Sequence, residues 1–305
     1  MIILSNMIIY SIESGGSMDY SHFPLNNKLY SGAEKKIGIT IKHEDYIVKF
    51  QKKTAHGLRN NHISEYLGCR IMQSMGYDVQ EVYLGTFKEH EVVVIKDFVK
   101  IGEQFVAFND LGESSIDADR EKFQYSYEDI TEILSLNNKL DDPDITIQQF
   151  WNLYVLDALL GNFDRHGGNW GFTKINNKYT LAPIFDNGSC LYPNLTDIDD
   201  MKKIMNSIKE TEKRIFMFPT SQIKLNGQKS SYYEVIHSLE FKECNQALIH
   251  INELFDQIKI NLIIDETPFI SSTQKEFYKY MIQKRYELIL KNSYERLHHN
   301  ERTSY

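Results

Sequence analysis

The stretch that most constrains how this chain can fold is LGNFDRHGGNW, residues 160–170. It concentrates an aspartate, an arginine, a histidine, two asparagines and three glycines between a helical apolar pattern and a strand-like run. Gly167, Gly168 and Asn169 are turn formers, so one interpretation is a polar turn from helix to strand. A metal site and a catalytic loop are the other two interpretations, and the rest of the sequence distinguishes among them.

The residue spacing argues against a zinc site in this stretch. Asp164 and His166 are two residues apart and no second histidine lies nearby, whereas hydrolytic zinc sites use at least three ligands. Asp164 and Asn169 are instead five residues apart. Phosphoryl transfer needs a carboxylate that accepts the proton of the attacking hydroxyl and a neutral oxygen ligand for Mg²⁺, and protein kinases use this spacing. The pair therefore favours a catalytic loop.

A second, anionic Mg²⁺ ligand is expected after a short hairpin. The segment LAPIFDNGS places Asp186 at the end of an apolar strand, followed by Asn187 and Gly188. This order imitates the Asp-Phe-Gly segment of protein kinases, with asparagine in place of phenylalanine. Because Mg²⁺ prefers one or two protein oxygens together with phosphate and water, Asn169 and Asp186 are the predicted metal ligands.

Three further parts of a phosphotransferase site are predicted upstream. Lys49, in the strand-like YIVKF, would pair with the α- and β-phosphates of ATP, and Glu65, on the following helix, would hold that lysine in place. In the preceding loop, YSGAEKKIG, Gly32 would allow close approach to phosphate, and Lys35 or Lys36 could supply charge. Taken singly, each residue is more simply interpreted without a function, Lys49 as a snorkelling strand lysine and Glu65 as a solvated helix residue. The ordered set makes the prediction specific.

The remaining pattern predicts an α+β fold with a small β-rich N-lobe and a larger helical C-lobe. Alternation predicts a β-hairpin over 37–50, and helical spacing predicts a helix over 61–76, with an asparagine start and a glycine stop, followed by two strands. Helical spacing from Ile147 to Ala158 gives one apolar face, and Gly161 would end that helix. The predicted organisation is a poorly ordered extension at 1–17, an N-lobe with the phosphate loop at 18–100, and a C-lobe at 101–305. The C-lobe is expected to begin with an irregular region at 102–146 that contains a short helix near 127–138. From about 199 it is expected to be mainly helical.

Composition excludes several classes of partner. The net charge of −8 argues against nonspecific binding of nucleic acids or anionic membranes. The three cysteines lack C-x-x-C spacing, which predicts a reducing compartment and no disulfide framework. The first twelve residues are apolar, but they lack the basic region of a signal peptide and the roughly 20 apolar residues of a membrane helix. A cytoplasmic protein with no direct nucleic-acid or membrane binding is therefore predicted.

These stretches resemble the HipA-like serine/threonine protein kinases, in particular the small stand-alone bacterial type. The matching segments span about residues 30–270, and the most specific of them are GNFDRHGGNWGF and PIFDNGSCLYP. The resemblance implies a two-lobed protein-kinase-like fold, ATP and Mg²⁺ as cofactors, and phosphorylation of serine or threonine on a protein substrate. Relatives include toxins of toxin–antitoxin modules and secreted effectors, so a helix-turn-helix antitoxin partner and secretion both stay open.

The resemblance also implies roles for individual residues. Asp164 would be the catalytic base, Asn169 and Asp186 the Mg²⁺ ligands, and Lys49 a phosphate contact. His166 belongs to the same motif, and we expect it to shape the loop rather than to transfer a proton. The other implied nucleotide contacts are Ser31, Gly32, Ala33 and Lys36 in the phosphate loop, Glu65 on the helix, and the backbone near Asp97 and Phe98, which would meet adenine.

Some relatives are switched off by autophosphorylation of a serine in the phosphate loop. Ser31 lies in the corresponding loop of this sequence. A phosphate added beside Gly32 would compete with ATP for space and charge. The sequence therefore supports the hypothesis that the protein autophosphorylates Ser31.

Two other functions stay open. Lipid kinases also carry a D-R-H-x-x-N loop followed by a metal-binding aspartate, so a phosphoinositide or small-molecule kinase is one alternative; this acidic chain shows none of their basic membrane-binding surface. A nucleotide-binding pseudokinase that acts as an interaction module is the other. Retention of Lys49, Asp164, Asn169 and Asp186 argues against it.

Overall fold

The computed structural model describes residues 18–28, 30, 35–55, 57–111, 126–137, 140, 142–225 and 227–303. These residues group into two compact units. The first contains the described residues up to Phe98 together with Asn187–Lys202 and Ile258–Lys279; the second contains those of Val99–Asp186, Lys203–Gln257 and the residues from Tyr280 onward. The predicted extension at 1–17 lies outside the described residues, and the predicted lobe boundary at residues 100 and 101 stays a prediction.

The first unit is built on a five-stranded sheet. The strands of this unit in chain order are β1 (Met18–Asp19), β2 (Lys36–Ile41), β3 (Glu44–Phe50), β4 (Lys53–Thr54), β5 (Gly57–Leu58), β6 (Val82–Phe87) and β7 (His90–Lys96). The order across the sheet is β1-β6-β7-β3-β2, with β1 parallel to β6 and the other neighbours antiparallel, while β4 and β5 form a separate two-stranded ribbon. The two strands predicted after the helix are thereby confirmed as β6 and β7.

The predicted hairpin at 37–50 is confirmed by β2 and β3, which pair in continuous antiparallel register. The turn residues Lys42 and His43 have positive φ angles of 50° and 69°, as a tight two-residue hairpin turn requires. Alternation along β3 buries Val48 and Phe50 in the core. Because successive side chains of a strand point to opposite faces, Lys49 lies on the other face of the sheet.

The helix predicted at 61–76 is confirmed as α1 (Asn61–Ser74), which packs against β6 and β7. Its asparagine start has a different role from helix capping. The Asn61 side chain accepts a hydrogen bond from the backbone N–H of Lys52 at 2.9 Å and donates one to the carbonyl of Phe50 at 3.2 Å. This residue therefore ties the beginning of the helix to the end of β3.

The second unit is organised around the helix α3 (Pro143–Leu160), which begins four residues before the predicted periodic pattern. Asp142 caps it by accepting from the N–H of Ile145 at 3.0 Å, and Gly161 ends it at a φ of 65°, as predicted. The prediction of a single apolar face was too narrow, because every residue from 150 to 160 is buried. Other helices of the same unit cover α3 on several sides.

The short hairpin expected before Asp186 is confirmed as two paired strands, whereas two other short β segments of the second unit were not predicted. β8 (Gln104–Ala107) lies in the region expected to be irregular, and it pairs antiparallel with β9 (Gly171–Ile175), which also pairs with β10 (Lys178–Leu181). A hairpin of β11 (Thr220–Leu225) and β12 (Gln228–Ser231) interrupts the region expected to be mainly helical. The expectation of an irregular region was wrong at β8, whereas the region from about 199 is mainly helical, as predicted, apart from this hairpin. Strands this short carry too little periodicity to be recognised locally.

The remaining described elements are helical. The predicted short helix near 127–138 is confirmed as α2 (Tyr127–Leu136), which follows α1 in chain order and precedes α3. The later α-helices are α4 (Ile198–Met205), α5 (Ile208–Glu212), α6 (Tyr232–Ser238), α7 (Lys242–Leu254), α8 (Gln257–Glu266), α9 (Ser272–Arg285) and α10 (Asn292–Thr303), with π-helical turns at Lys213–Met217 and Tyr286–Lys291. Among the helices described, none is both long enough and apolar enough to cross a membrane.

Candidate active site

In the first unit, the predicted lysine and glutamate form an ion pair. The Nζ atom of Lys49, on β3, lies 3.3 Å from Oε2 of Glu65, on α1. The Glu65 side chain is almost fully buried, and the lysine side chain is 12% exposed. A charged pair at this depth retains a strong electrostatic interaction, because little water screens it.

The other predicted phosphate-binding lysine lies beside this pair. In the register of β2 and β3, Lys36 is directly opposite Lys49. Residues directly opposite in an antiparallel pair share one face of the sheet, and two like charges there are unfavourable without a counterion. Glu65 neutralises the charge of Lys49 in part. A polyphosphate is a ligand that would bind favourably to two neighbouring cations. The other phosphate-loop predictions, Ser31, Gly32 and Ala33, lie outside the described residues.

At the predicted adenine-binding segment, the backbone N–H of Asp97 is already used. It donates to the carbonyl of Asp45 at 2.9 Å. The Asp97 carboxylate accepts from Nζ of Lys28 at 3.0 Å and from the Tyr30 hydroxyl at 3.4 Å. A contact from this residue to adenine would therefore use its carbonyl, and the predicted roles of Asp97 and Phe98 stay predictions.

In the second unit, the catalytic-loop stretch begins directly after Gly161. Asp164 is exposed, and its backbone N–H donates to Oδ1 of Asn162 at 3.0 Å. Its carbonyl accepts from Nδ2 of Asn169 at 2.8 Å. Because the amide nitrogen of Asn169 is used in this bond, the side-chain oxygen is the atom that this residue would present to a cation. The loop thus brings together the predicted base and one predicted metal ligand.

His166 takes part in the backbone geometry of the same loop. Its Nδ1 atom accepts a hydrogen bond from the N–H of Gly168 at 3.0 Å. A Cβ atom at Gly168 would lie 2.9 Å from the imidazole ring, so only glycine fits there without a shift. These contacts are what a loop-shaping role for His166 requires, and that role stays a prediction.

A buried ion pair that we did not predict anchors this loop to the helix α3. Asp157, on α3, accepts two hydrogen bonds from Arg165, from Nε at 2.9 Å and from Nη2 at 3.1 Å. It also accepts from Nδ2 of Asn162 at 2.9 Å. Asp157 is 1% exposed and Arg165 is 7% exposed. The signal in the sequence was the single aspartate in the apolar run YVLDALL, because a charge in a buried helix needs a partner.

Arg165 also connects the two segments that carry the predicted metal ligands. Its Nη1 atom donates to the carbonyl of Asn169 at 2.8 Å, to that of Phe185 at 2.5 Å, and to that of Asp186 at 3.4 Å. Asp186 has a φ of 57°, in the left-handed region that a non-glycine residue rarely adopts. One guanidinium group therefore fixes the backbone at both predicted ligands.

The chemistry of this donor set fits Mg²⁺. In the described part of the chain, no group of three or more histidine, cysteine, aspartate or glutamate side chains is placed to hold a metal ion by itself. Asp186 and Asn169 offer one carboxylate and one amide oxygen. Mg²⁺ is commonly bound by one or two protein oxygens, with phosphate oxygens and water completing its octahedron. These two residues could hold the ion in the presence of nucleotide.

Comparison with known proteins agrees with this geometry. The family described as the HipA-like C-terminal domain matches residues 29–267. The chain belongs to this family. Among curated proteins, the serine/threonine-protein kinase CtkA of Helicobacter pylori strain J99 is 38% identical over 283 residues, which cover 90% of this chain and 86% of that protein. The predicted family membership is therefore confirmed.

The fold is also shared with a solved structure. The crystal structure of a Helicobacter pylori proinflammatory kinase, CtkA, is similar with a TM-score of 0.84 at 36% identity, over 92% of this chain and 98% of that one. The predicted fold class, a HipA-like α+β fold with a β-rich N-terminal region and a helical remainder, is confirmed.

Proposed function

We propose that this HipA-like protein is a protein serine/threonine kinase that uses ATP and Mg²⁺. The observation that carries the proposal is the geometry of the catalytic loop. The Asn169 side chain is hydrogen-bonded to the Asp164 carbonyl, and Arg165 donates to the backbone carbonyls of Asn169 and Asp186. The 38% identity with a serine/threonine-protein kinase, over 90% of this chain, supports the same reaction class.

In the proposed mechanism, each charged residue has one task. Asp164 accepts the proton of the acceptor hydroxyl and orients it for attack. Asn169 and Asp186 hold Mg²⁺, which neutralises charge on the phosphates when it is bound. Lys49 pairs with the α- and β-phosphates, and Glu65 keeps it in place. Lys36 adds positive charge beside Lys49.

The decisive test separates the proton acceptor from the nucleotide contacts. We expect Asp164→Ala to abolish phosphate transfer from labelled ATP, because the base is lost, and to leave ATP affinity largely unchanged, because the phosphate and metal contacts remain. Transfer is measured with radiolabelled ATP, and affinity is measured by calorimetry with Mg²⁺ present. A variant that transfers phosphate at the wild-type rate would contradict the assignment.

The same assay decides between the alternative functions. Transfer to phosphoinositide or to small-molecule acceptors, with none to protein, would favour the lipid or small-molecule kinase. Wild-type protein that binds ATP but transfers no phosphate to itself or to a lysate would favour the pseudokinase. The neighbouring gene bears on biological role: a small helix-turn-helix protein encoded there would favour an antitoxin partner, and its absence would favour an effector or a stand-alone kinase.

Autophosphorylation at Ser31 is part of the proposal. A phosphate on Ser31, in the phosphate loop that the sequence predicts, would place negative charge where ATP phosphates are expected, so modification would reduce activity. Mass spectrometry after incubation with Mg-ATP is expected to find phosphate on Ser31 in wild-type protein and none in Asp164→Ala. Unmodified Ser31 in an active wild-type preparation would contradict this part of the proposal.

A further inference from the structure

The Glu65 carboxylate is held by Gln80, which lies outside the sequence motifs, and by the backbone of Asn187, which follows Asp186. Gln80, between α1 and β6, donates from Nε2 to Oε1 of Glu65 at 2.5 Å, and this side chain is 6% exposed. The backbone N–H of Asn187 donates to the same oxygen at 2.9 Å. The orientation of the Gln80 amide follows from chemistry, because only its NH₂ group can face an ionised carboxylate.

The two oxygens of Glu65 therefore have separate partners. Oε1 accepts from Gln80 and Asn187, whereas Oε2 lies 3.3 Å from Nζ of Lys49. A buried carboxylate rotates freely only if it gives up hydrogen bonds that water cannot replace. Oε1 also accepts a longer hydrogen bond from the Cys69 thiol, at 3.9 Å. With Oε1 occupied by these donors, Oε2 is the oxygen that remains directed at the lysine.

The residues after the predicted metal ligand Asp186 fit closely around this carboxylate. The Asn187 side chain donates to Sγ of Cys69 at 3.2 Å, and a Cβ atom at Gly68 would come within 2.6 Å of Cβ of Asn187. Burial, and then the negative charge of Glu65, raise the pKa of the Cys69 thiol to about 12. The thiol is therefore neutral near pH 7 and adds no charge that would compete for Lys49.

We propose that Gln80 is a positioning residue for phosphoryl transfer: it holds Oε1 of Glu65, together with the Asn187 amide, so that Oε2 stays paired with Lys49. This inference rests on the proposed function, because it assigns Lys49 to the nucleotide phosphates. Gln80 itself touches neither nucleotide nor acceptor in this scheme. Its loss would act through the lysine on ATP binding and would leave the base, Asp164, in place.

The test replaces Gln80 with residues of similar length. Gln80→Met removes the donor with little change in volume, and we expect the KM for ATP to rise about tenfold while kcat changes much less, the size expected for one lost hydrogen bond to a charged group. Gln73→Met is the matched control, because Gln73 is an exposed glutamine on α1, the helix that carries Glu65. It should leave KM and kcat at wild-type values, and circular dichroism checks that both variants are folded.

A second variant tests the contact itself. Gln80→Glu places a carboxylate against Oε1, so at alkaline pH, where both carboxylates are ionised, it should raise the KM for ATP more than Gln80→Met. Lowering the pH should bring its KM back towards the wild-type value, because one proton shared by the two carboxylates restores the hydrogen bond. A Gln80 role limited to folding would show no such recovery, and its absence would overturn the proposal.

A double-mutant cycle tests whether Gln80 acts through Glu65. We expect Gln80→Met to add nothing to the KM of Glu65→Gln, whereas additive effects would overturn the proposal. Calorimetric ATP affinity repeats the comparison without turnover. If wild-type protein transfers no phosphate, the proposed kinase function fails, but a tenfold loss of ATP affinity in Gln80→Met still supports the positioning role and unchanged affinity still refutes it.

Discussion

Among the described residues, each unit contains one carboxylate that is almost completely buried, Glu65 in the first and Asp157 in the second, and each is 1% exposed. Glu65 is satisfied by Lys49, Gln80 and the Asn187 backbone, and Asp157 by Arg165 and Asn162. A desolvated carboxylate is tolerated only when donors surround it. At these two positions, satisfying the buried charge also determines where functional groups lie.

Breaking the buried pair of the second unit is expected to be costly. Asp157→Asn leaves the Arg165 guanidinium without its counter-charge, and loss of one partner of a buried pair costs about 3–5 kcal/mol of unfolding free energy. Urea denaturation of wild type and variant measures the loss. The control is Lys284→Ala, which removes the partner of Glu287 in a half-exposed pair and should cost less than about 1 kcal/mol. Equal losses in the two variants would contradict the assignment.

Among the elements, α3 determines where the catalytic loop begins. The helix ends at Gly161, whose φ of 65° turns the chain into the loop, and Asp157 in its last turn anchors Arg165. Arg285, fully buried, donates from Nε to the carbonyl of Ala158 at 2.5 Å in the same turn. The end of the helix is thus held by side chains from two later parts of the chain.

Gly161→Ala is expected to destabilise this junction. An alanine pays about 1–2 kcal/mol for a left-handed backbone, and its Cβ would lie 3.4 Å from Nε of Arg285. Gly102→Ala is the control, because Gly102 in the same unit also has positive φ but no described atom within 4 Å of the added Cβ. Thermal unfolding should show the larger loss for Gly161→Ala. The same loss at both sites would mean that the Arg285 contact contributes nothing.

The elements also differ in how far local sequence predicts them. The hairpin of β2 and β3 and the helix α1 have strong periodicity, and both were predicted within a few residues. β8 has four residues and pairs with β9 more than 60 positions later in the chain. Its pairing partner decides its conformation, and that information is not local.

For the molecule as a whole, the kinase proposal predicts stabilisation by nucleotide. A ligand that binds only the folded protein at 100 times its Kd adds about 2.7 kcal/mol to the unfolding free energy. We expect Mg-ATP to raise the melting temperature of wild type, and Asp186→Asn or Lys49→Met to reduce the shift because metal or phosphate contacts are weakened. Differential scanning fluorimetry with and without Mg²⁺ measures it. Full shifts in both variants would contradict these site assignments.

The sequence alone determined the family resemblance, the fold class, and the order of Lys49, Glu65, Asp164, Asn169 and Asp186, because motif spacing and strong periodicity are local properties of the chain. Only the tertiary structure placed Lys36 opposite Lys49 and brought together the hydrogen-bond donors around the buried carboxylates Glu65 and Asp157. Gln80 is 15 residues from Glu65, and Asn187 is 122 residues from it. The physical reason is that a buried charge recruits whichever donors folding brings to it, and sequence spacing does not encode that choice.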